Sequence, residues 1–278
     1  MSTPRQSDLD GFSAWITRRG REPGTAEVYV SNVRLAFEHE DGFLGRLQDR
    51  SLSPKTRHLA MAALRSYARY SEDMKLLREL EDMKLPPARR VRPKLPLSHD
   101  VWAELREAID DDEKLTEPMR AVLGLLAVRG FRVGDALRLT RREVQESLKS
   151  KVLNYEAKRH ERIEWGIKLF KRYLEILLAE SGWKTVTDLI SPRSRSVKSA
   201  RKNVYRAIKR VAERVGIDFT HLHPHILRRT VAVNFLEKVG DVNSMRDWMA
   251  WRSMNTAMQY VDHSQRIRHD KIEETLLD

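Results

Sequence analysis

Apolar residues recur along this chain at helical spacing rather than in strict alternation, in two stretches separated by prolines. In the first stretch Leu9, Phe12 and Ile16 fall on one face of a helix that Ser7 is placed to cap. Tyr29, Val33 and Phe37, spaced by four, mark a second helix after Thr25. The third start is the clearest. Ser53 reads as an N-cap, Pro54 fits the first helical position, where its missing N–H would be unpaired anyway, and Leu59, Ala63, Tyr67 and Tyr70 point inward. Residues 1–85 thus predict a small helical bundle. From Lys84 to Pro96 the character changes: Pro86, Pro87, Pro93 and Pro96 bar a helix, while Arg89, Arg90, Arg92 and Lys94 crowd positive charge together. Residues 86–96 read as a basic, Pro-rich linker and 97–278 as a second domain.

That second domain opens with Ser98 capping a helix whose face is Val101, Leu105 and Ile109. Another helix runs from Glu117 through Leu126, and Gly130 suits its end. Lys151 to Ala157 and Arg162 to Ile167 read as short strands, with Lys158-Arg159-His160-Glu161 as the turn between them. After Ser196 a long basic helix buries Val204, Ile208, Val211 and Val215 and turns Arg201, Lys202, Arg206, Lys209 and Arg210 outward. The fold class expected is mainly α with a small antiparallel β-sheet. No internal repeat or low-complexity tail is visible.

Composition narrows the partners. A chain of 278 residues is comfortable for two domains, and a formal charge of +12 points to a polyanion, nucleic acid before acidic lipid. Lys55, Arg57, Arg65 and Arg69 on the third helix, Arg89, Arg90 and Arg92 in the linker, and Arg201 and Lys202 on the long basic helix are the candidate phosphate contacts. The plain alternative for each is a solvated surface charge. No stretch approaches the ~20 apolar residues of a membrane span and the N-terminus lacks a signal-peptide core, so no membrane contact is expected, and the absence of Cys fits a cytosolic protein. With no Cys in the chain, disulfides, thiolate zinc sites and cysteine nucleophiles are excluded.

Three blocks carry the chemistry. Arg132 sits in Gly130-Phe131-Arg132-Val133-Gly134-Asp135-Ala136-Leu137, His225 and Arg228 sit in Pro224-His225-Ile226-Leu227-Arg228-Arg229-Thr230, and Tyr260 closes Trp251-Arg252-Ser253-Met254-Asn255-Thr256-Ala257-Met258-Gln259-Tyr260. In this order they resemble the tyrosine recombinase (phage integrase) family of site-specific DNA recombinases. The resemblance implies that Arg132, Lys158, His225, Arg228 and Trp251 surround one phosphate, which Tyr260 attacks. Guanidinium suits such a site because it is permanently charged and forks onto two phosphate oxygens. Its charge stabilises the pentacoordinate transition state. A phenol ordinarily loses its proton only near pH ~10, so it needs positive charge and a proton acceptor nearby, and His225, three residues before Arg228, is the candidate acceptor. Lys158 would protonate the leaving 5′-oxygen, and Asp135 would support the site.

Two departures from the family pattern stand out. The family most often has Gly-His where this chain has Ala250-Trp251. Indole N–H can donate to a phosphate but cannot shuttle a proton, which places more of the acid duty on Lys158. Arg229 stands where His is common. The alternating histidines of His221-Leu222-His223-Pro224-His225 invite a metal, but arginine-rich surroundings and the absence of Cys oppose it; no metal or other cofactor is expected.

The resemblance further implies a two-domain clamp around double-stranded DNA, with residues 1–85 as the core-binding domain and 97–278 as the catalytic one. Strand exchange would pass through a 3′-phosphotyrosyl link and a Holliday junction in a homo-tetramer on synapsed DNA. The free protein would be a monomer, and accessory DNA-bending or directionality proteins are possible partners. Ile272, Leu276 and Leu277 would form a terminal helix that packs into a neighbouring protomer. No extra N-terminal arm-binding domain is evident, favouring a simple Xer-like or Cre-like recombinase. A type IB topoisomerase, relaxing supercoils as a monomer, and a non-catalytic DNA-binding protein on the same fold are the rivals.

Overall fold

The computed structural model describes residues 3–87, 96–157, 161–217 and 222–261. The chain divides into two compact units, Met1–Arg92 and Pro93–Asp278.

The first unit contains α1 (Gln6–Arg18), α2 (Pro23–Phe37), α3 (Gly42–Gln48), α4 (Pro54–Tyr70) and α5 (Met74–Asp82). Phe12 of α1 meets Tyr67 of α4 edge-on at 5.2 Å, and Leu9, Ile16, Ala26, Val33 and Ala63 complete that cluster. A second cluster joins Leu64 and Ala68 to Leu76, Leu77 and Leu80 of α5. The Ser53 hydroxyl accepts from the Thr56 N–H at 3.1 Å, so α4 starts as its sequence predicts. Three details differ from expectation. Ser7 lies inside α1, which is capped instead by the Asp8 carboxylate accepting from the Arg5 N–H at 2.9 Å. Pro23 supplies the first position of α2, ahead of Thr25. Leu59 is exposed, because Ala60 and Leu64 hold the inward positions on that part of α4.

In the second unit the order is α6 (His99–Asp111), α7 (Glu117–Gly124), a π-helical segment (Leu125–Arg129), α8 (Val133–Arg138), α9 (Arg141–Ser150), β1 (Val152–Ala157), β2 (Glu161–Gly166), α10 (Lys171–Ala179), α11 (Val186–Ile190), α12 (Val197–Arg214), α13 (Pro224–Val239) and α14 (Val242–Trp248). Residues 254–261 are helical again. Ser98 caps α6 as predicted, its hydroxyl accepting from the Val101 N–H. The helix begun at Glu117 outruns Leu126, because its last turn widens into the π segment and stops only at Gly130. Val215 is the cap residue beyond α12 and is half-buried rather than in its core stripe.

The two strands pair antiparallel, with Leu153 opposite Trp165 and Tyr155 opposite Ile163. All four side chains are buried, as period-two alternation requires when one face covers the core. Glu161 pairs with Ala157 and so belongs to β2 rather than to the turn.

The main core runs through α7, the π segment, the sheet, α10 and α12, and includes Leu227 of α13. A separate cluster joins Val231, Ala232 and Leu236 of α13 to Met245, Met249, Trp251 and Ala257. α13 therefore buries residues on almost every side and spans both clusters. Among the described residues, no helix is long and apolar enough to cross a membrane.

Candidate active site

The site forms where three backbone stretches are tied together by one arginine. Arg228 is buried on α13, and its two terminal nitrogens donate to the carbonyls of Gly130 and Met249. Gly130 takes φ +73°, a conformation that disfavours a side chain, and a Cβ there would sit 3.1 Å from Met249 Cε and 3.3 Å from Val231. Glycine lets the chain turn from the π segment toward Arg132 without strain, its carbonyl aimed at Arg228. Burial, with Arg132 nearby, lowers the Arg228 pKa to about 10, so the group stays charged at neutral pH.

Arg132 occupies the N-cap position of α8, its side chain one-third exposed and its Nη1 3.5 Å from the buried Asp135 carboxylate. Asp135 thus pairs with Arg132 while leaving its side chain one-third exposed. Phe131 anchors the adjoining backbone edge-on to Trp165 at 4.8 Å and stacked on Tyr155 at 5.8 Å. The Tyr155 phenol is pushed well up by burial and by Asp135, which keeps it neutral within this charged neighbourhood.

His225 lies in the first turn of α13, one helical turn before Arg228. The residue as a whole is exposed, yet the surrounding protein already strips enough water from its ring to lower its pKa. The charges of Arg228, Arg132, Arg201 and Arg229 add to that shift. A neutral imidazole able to accept a proton is the result.

Tyr260 stacks on Trp251, ring centroids 4.6 Å apart and planes 23° apart. The Arg229 guanidinium lies 5.2 Å from the centre of the Tyr260 ring, and that of Arg228 lies 5.7 Å from the centre of the Trp251 ring. Ala250, just before Trp251, takes φ +48°. A left-handed turn at a non-glycine residue is what swings the chain from α14 into Trp251.

Residues 96–266 match the phage integrase family. The chain belongs to the phage integrase family. The tyrosine recombinase XerA of Thermococcus kodakarensis is 25% identical over 94% of this chain and 92% of its own length. XerD of Vibrio vulnificus is 28% identical over 83% of this chain and 78% of its own. In fold, this member of the family is similar to a lambda integrase dimer bound to a COC′ core site, with TM-score 0.66, 17% identity and coverage of 90% of this chain and 96% of that one. It is also similar to XerH bound to palindromic difH, with TM-score 0.62, 14% identity and coverage of 93% and 84%.

Within this integrase-family chain Arg132, Asp135, His225, Arg228, Trp251 and Tyr260 converge from three separate stretches. Lys158, Arg89, Arg90, Arg92, His221 and the proposed terminal helix with Ile272, Leu276 and Leu277 lie outside the described residues. The remaining basic candidates divide. Arg201 reaches over α8, where a Cβ on Gly134 would collide with its guanidinium, and so joins the site rather than a remote surface. Lys55 and Lys202 are exposed and Arg57 is half-buried. Arg65 donates to the Leu80 carbonyl at 2.7 Å and Arg69 lies 4.0 Å from Glu81, so both tie α4 to α5. His223 and His225 face each other edge-on at 6.1 Å. Among the described residues no three His, Asp or Glu side chains gather as a metal site would require. Sequence reading missed Arg129, which is buried at 1% exposure beside this site. Nothing local distinguishes it from the other Lys and Arg of so basic a chain.

Proposed function

We propose that this chain is a site-specific DNA recombinase whose partner is duplex DNA. The observation that carries the reading is the stacking of Tyr260 on Trp251 beside the buried, doubly anchored Arg228. In this reading the Tyr260 oxygen attacks the scissile phosphorus, its proton passing to neutral His225. Arg132 and Arg228 take the charge that grows on the non-bridging oxygens. The bond to the 5′-oxygen breaks as Lys158 protonates it, leaving a 3′-phosphotyrosyl link and a 5′-hydroxyl. A hydroxyl from the partner duplex reverses the step, and two exchanges through a Holliday junction complete recombination.

Residues 1–85 serve as the core-binding domain, 86–96 as a basic linker and 97–278 as the catalytic domain. Four protomers act on synapsed DNA, assembled from a monomer in free solution, and the work of this prokaryotic or viral protein takes place in the host cytoplasm, with DNA-bending or directionality proteins as accessories. The steep charge of the chain supports a DNA partner, since each neutralised phosphate releases counterions.

Denaturing detection of protein–DNA adducts on fragments of the source DNA in EDTA tests the reading. Wild type should form an adduct, Tyr260→Phe none, and Arg228→Ala far less. Salt-sensitive DNA binding with no adduct would overturn it in favour of a non-catalytic binder. Relaxation of supercoils without site preference or synapsis would favour a topoisomerase.

A further inference from the structure

Arg129, the last residue of the π segment, is a buried cation with no described carboxylate in an ion pair with it. Its guanidinium carbon lies 3.8 Å from the ring centre of Trp165 on β2 and 3.9 Å from that of Trp248 at the end of α14. Its Nη2 donates to the Trp248 carbonyl at 2.6 Å, while Nε and Nη1 have no partner. Burial and the nearby Arg228 lower its pKa to about 9, a measure of how unfavourably the charge is placed. Two indole faces are the strongest aromatic hosts for a desolvated cation, but an apolar residue of similar volume would fill the same space without that penalty.

What an apolar residue would not do is hold the Trp248 carbonyl. Residues 129 and 130 face residues 248 and 249 across the site, and two guanidinium groups fasten these stretches together: Arg129 to the Trp248 carbonyl, Arg228 to those of Gly130 and Met249. Immediately beyond lies the left-handed Ala250, then Trp251, the platform on which Tyr260 stacks. Backbone in so sparsely populated a conformation persists only where its surroundings over-determine it. Arg228 has the phosphate to hold as well. Arg129 is buried away from any substrate and can hold the turn whether or not DNA is bound.

We propose that Arg129 is a positioning residue for strand cleavage, seating residues 248–251 so that Trp251 presents Tyr260 to the phosphate. The proposal deepens the recombinase reading and rests on it for its catalytic consequence.

The test compares full-length wild type, Arg129→Met and Arg129→Leu by thermal melting, by amide hydrogen exchange followed by mass spectrometry, and by adduct formation on the DNA recovered by trapping. Met keeps the bulk between the indoles but removes the charge and the N–H. The melting temperature of Arg129→Met should be unchanged or higher. Exchange across residues 248–261 should quicken at least about tenfold, with the rest of the unit unaffected. Adduct formation should fall at least about tenfold with DNA binding intact. The defect should persist on DNA whose bridging 5′-oxygen is replaced by sulfur, a leaving group that needs no acid, whereas Lys158→Ala should be rescued by it. Exchange and adduct rates within twofold of wild type would overturn the proposal. So would rescue of Arg129→Met by the sulfur substrate, which would place the effect of Arg129 on the hairpin acid through Trp165. Should Arg129→Met not fold, Arg129→Leu, which also removes the charge and the N–H, takes its place: faster exchange confined to 248–261 supports the seat, and unchanged exchange overturns it. If wild type itself forms no adduct, the recombinase reading fails, and the exchange measurement still judges the seat alone.

Discussion

The rings of Trp251 and Tyr260 lie nearly parallel, 4.6 Å between centroids, so that the proposed nucleophile is held by the residue at the position where the family most often has histidine. Indole supplies contact area and at most one N–H. Its contribution here is orientation. Trp251→Phe, which retains a stacking face, should keep adduct formation within about tenfold of wild type. Trp251→Ala should lose at least about a hundredfold and destabilise the fold by about 3–5 kcal/mol. Single-turnover trapping alongside thermal melting separates the two effects.

Gly130→Ala should be damaging twice over. The φ of +73° imposes roughly 1–2 kcal/mol on any side chain, and the new Cβ meets Met249 and Val231 at 3.1 and 3.3 Å. A fall in melting temperature of about 4–8 °C is expected for a loss near 2 kcal/mol. Because the displaced carbonyl is also a seat of Arg228, adduct formation should fall by more than the stability loss explains.

Ala250→Gly should move the other way. Glycine relieves the left-handed strain at φ +48°, offset in part by the extra freedom it gives the unfolded chain. A gain of up to about 1 kcal/mol, visible as a rise of about 2–4 °C, is the expected outcome. Adduct formation should be retained, since the turn itself is unchanged.

The pH response should bear the mark of His225. Its folded pKa lies below the ordinary 6.5, so the unfolded chain binds the proton more readily. The associated stability is present in full above pH 6.5 and is lost as pH falls through the folded value. Melting temperature should therefore decline on the acid side of pH 6.5, and His225→Gln should flatten that decline. Cleavage should share the acid limb, because a protonated imidazole cannot accept the phenol proton.

The helical character of both units was legible because amphipathic spacing and caps such as Ser53 and Ser98 are local signals. Leu59 was misplaced because choosing between adjacent residues on a wheel depends on which neighbour packs, a tertiary fact. The convergence of Arg132, His225, Arg228 and Tyr260 could be anticipated from motif resemblance. Its scaffolding could not. The π segment, the left-handed Ala250 and the pair of indoles around Arg129 arise from contacts between residues about 35 to 120 positions apart, which no spacing rule encodes. Arg65 has a second task that spacing does not show: its guanidinium donates to the Leu80 carbonyl and caps α5.

The division of the catalytic unit into two hydrophobic clusters has a consequence for how activity is distributed over molecules. Arg132 is built on the main core, whereas Trp251 and Tyr260 belong to the smaller cluster on the far part of α13. The seam between them passes through Arg228. An opening confined to the smaller cluster would remove nucleophile and platform together while the phosphate-binding arginine on the other side stays formed. The fraction of protomers competent to cut is then a population set by the docking equilibrium of one cluster on the other. A ligand that favours the docked form, as a phosphate bridging Arg132 and Arg228 would, raises that fraction simply by being bound.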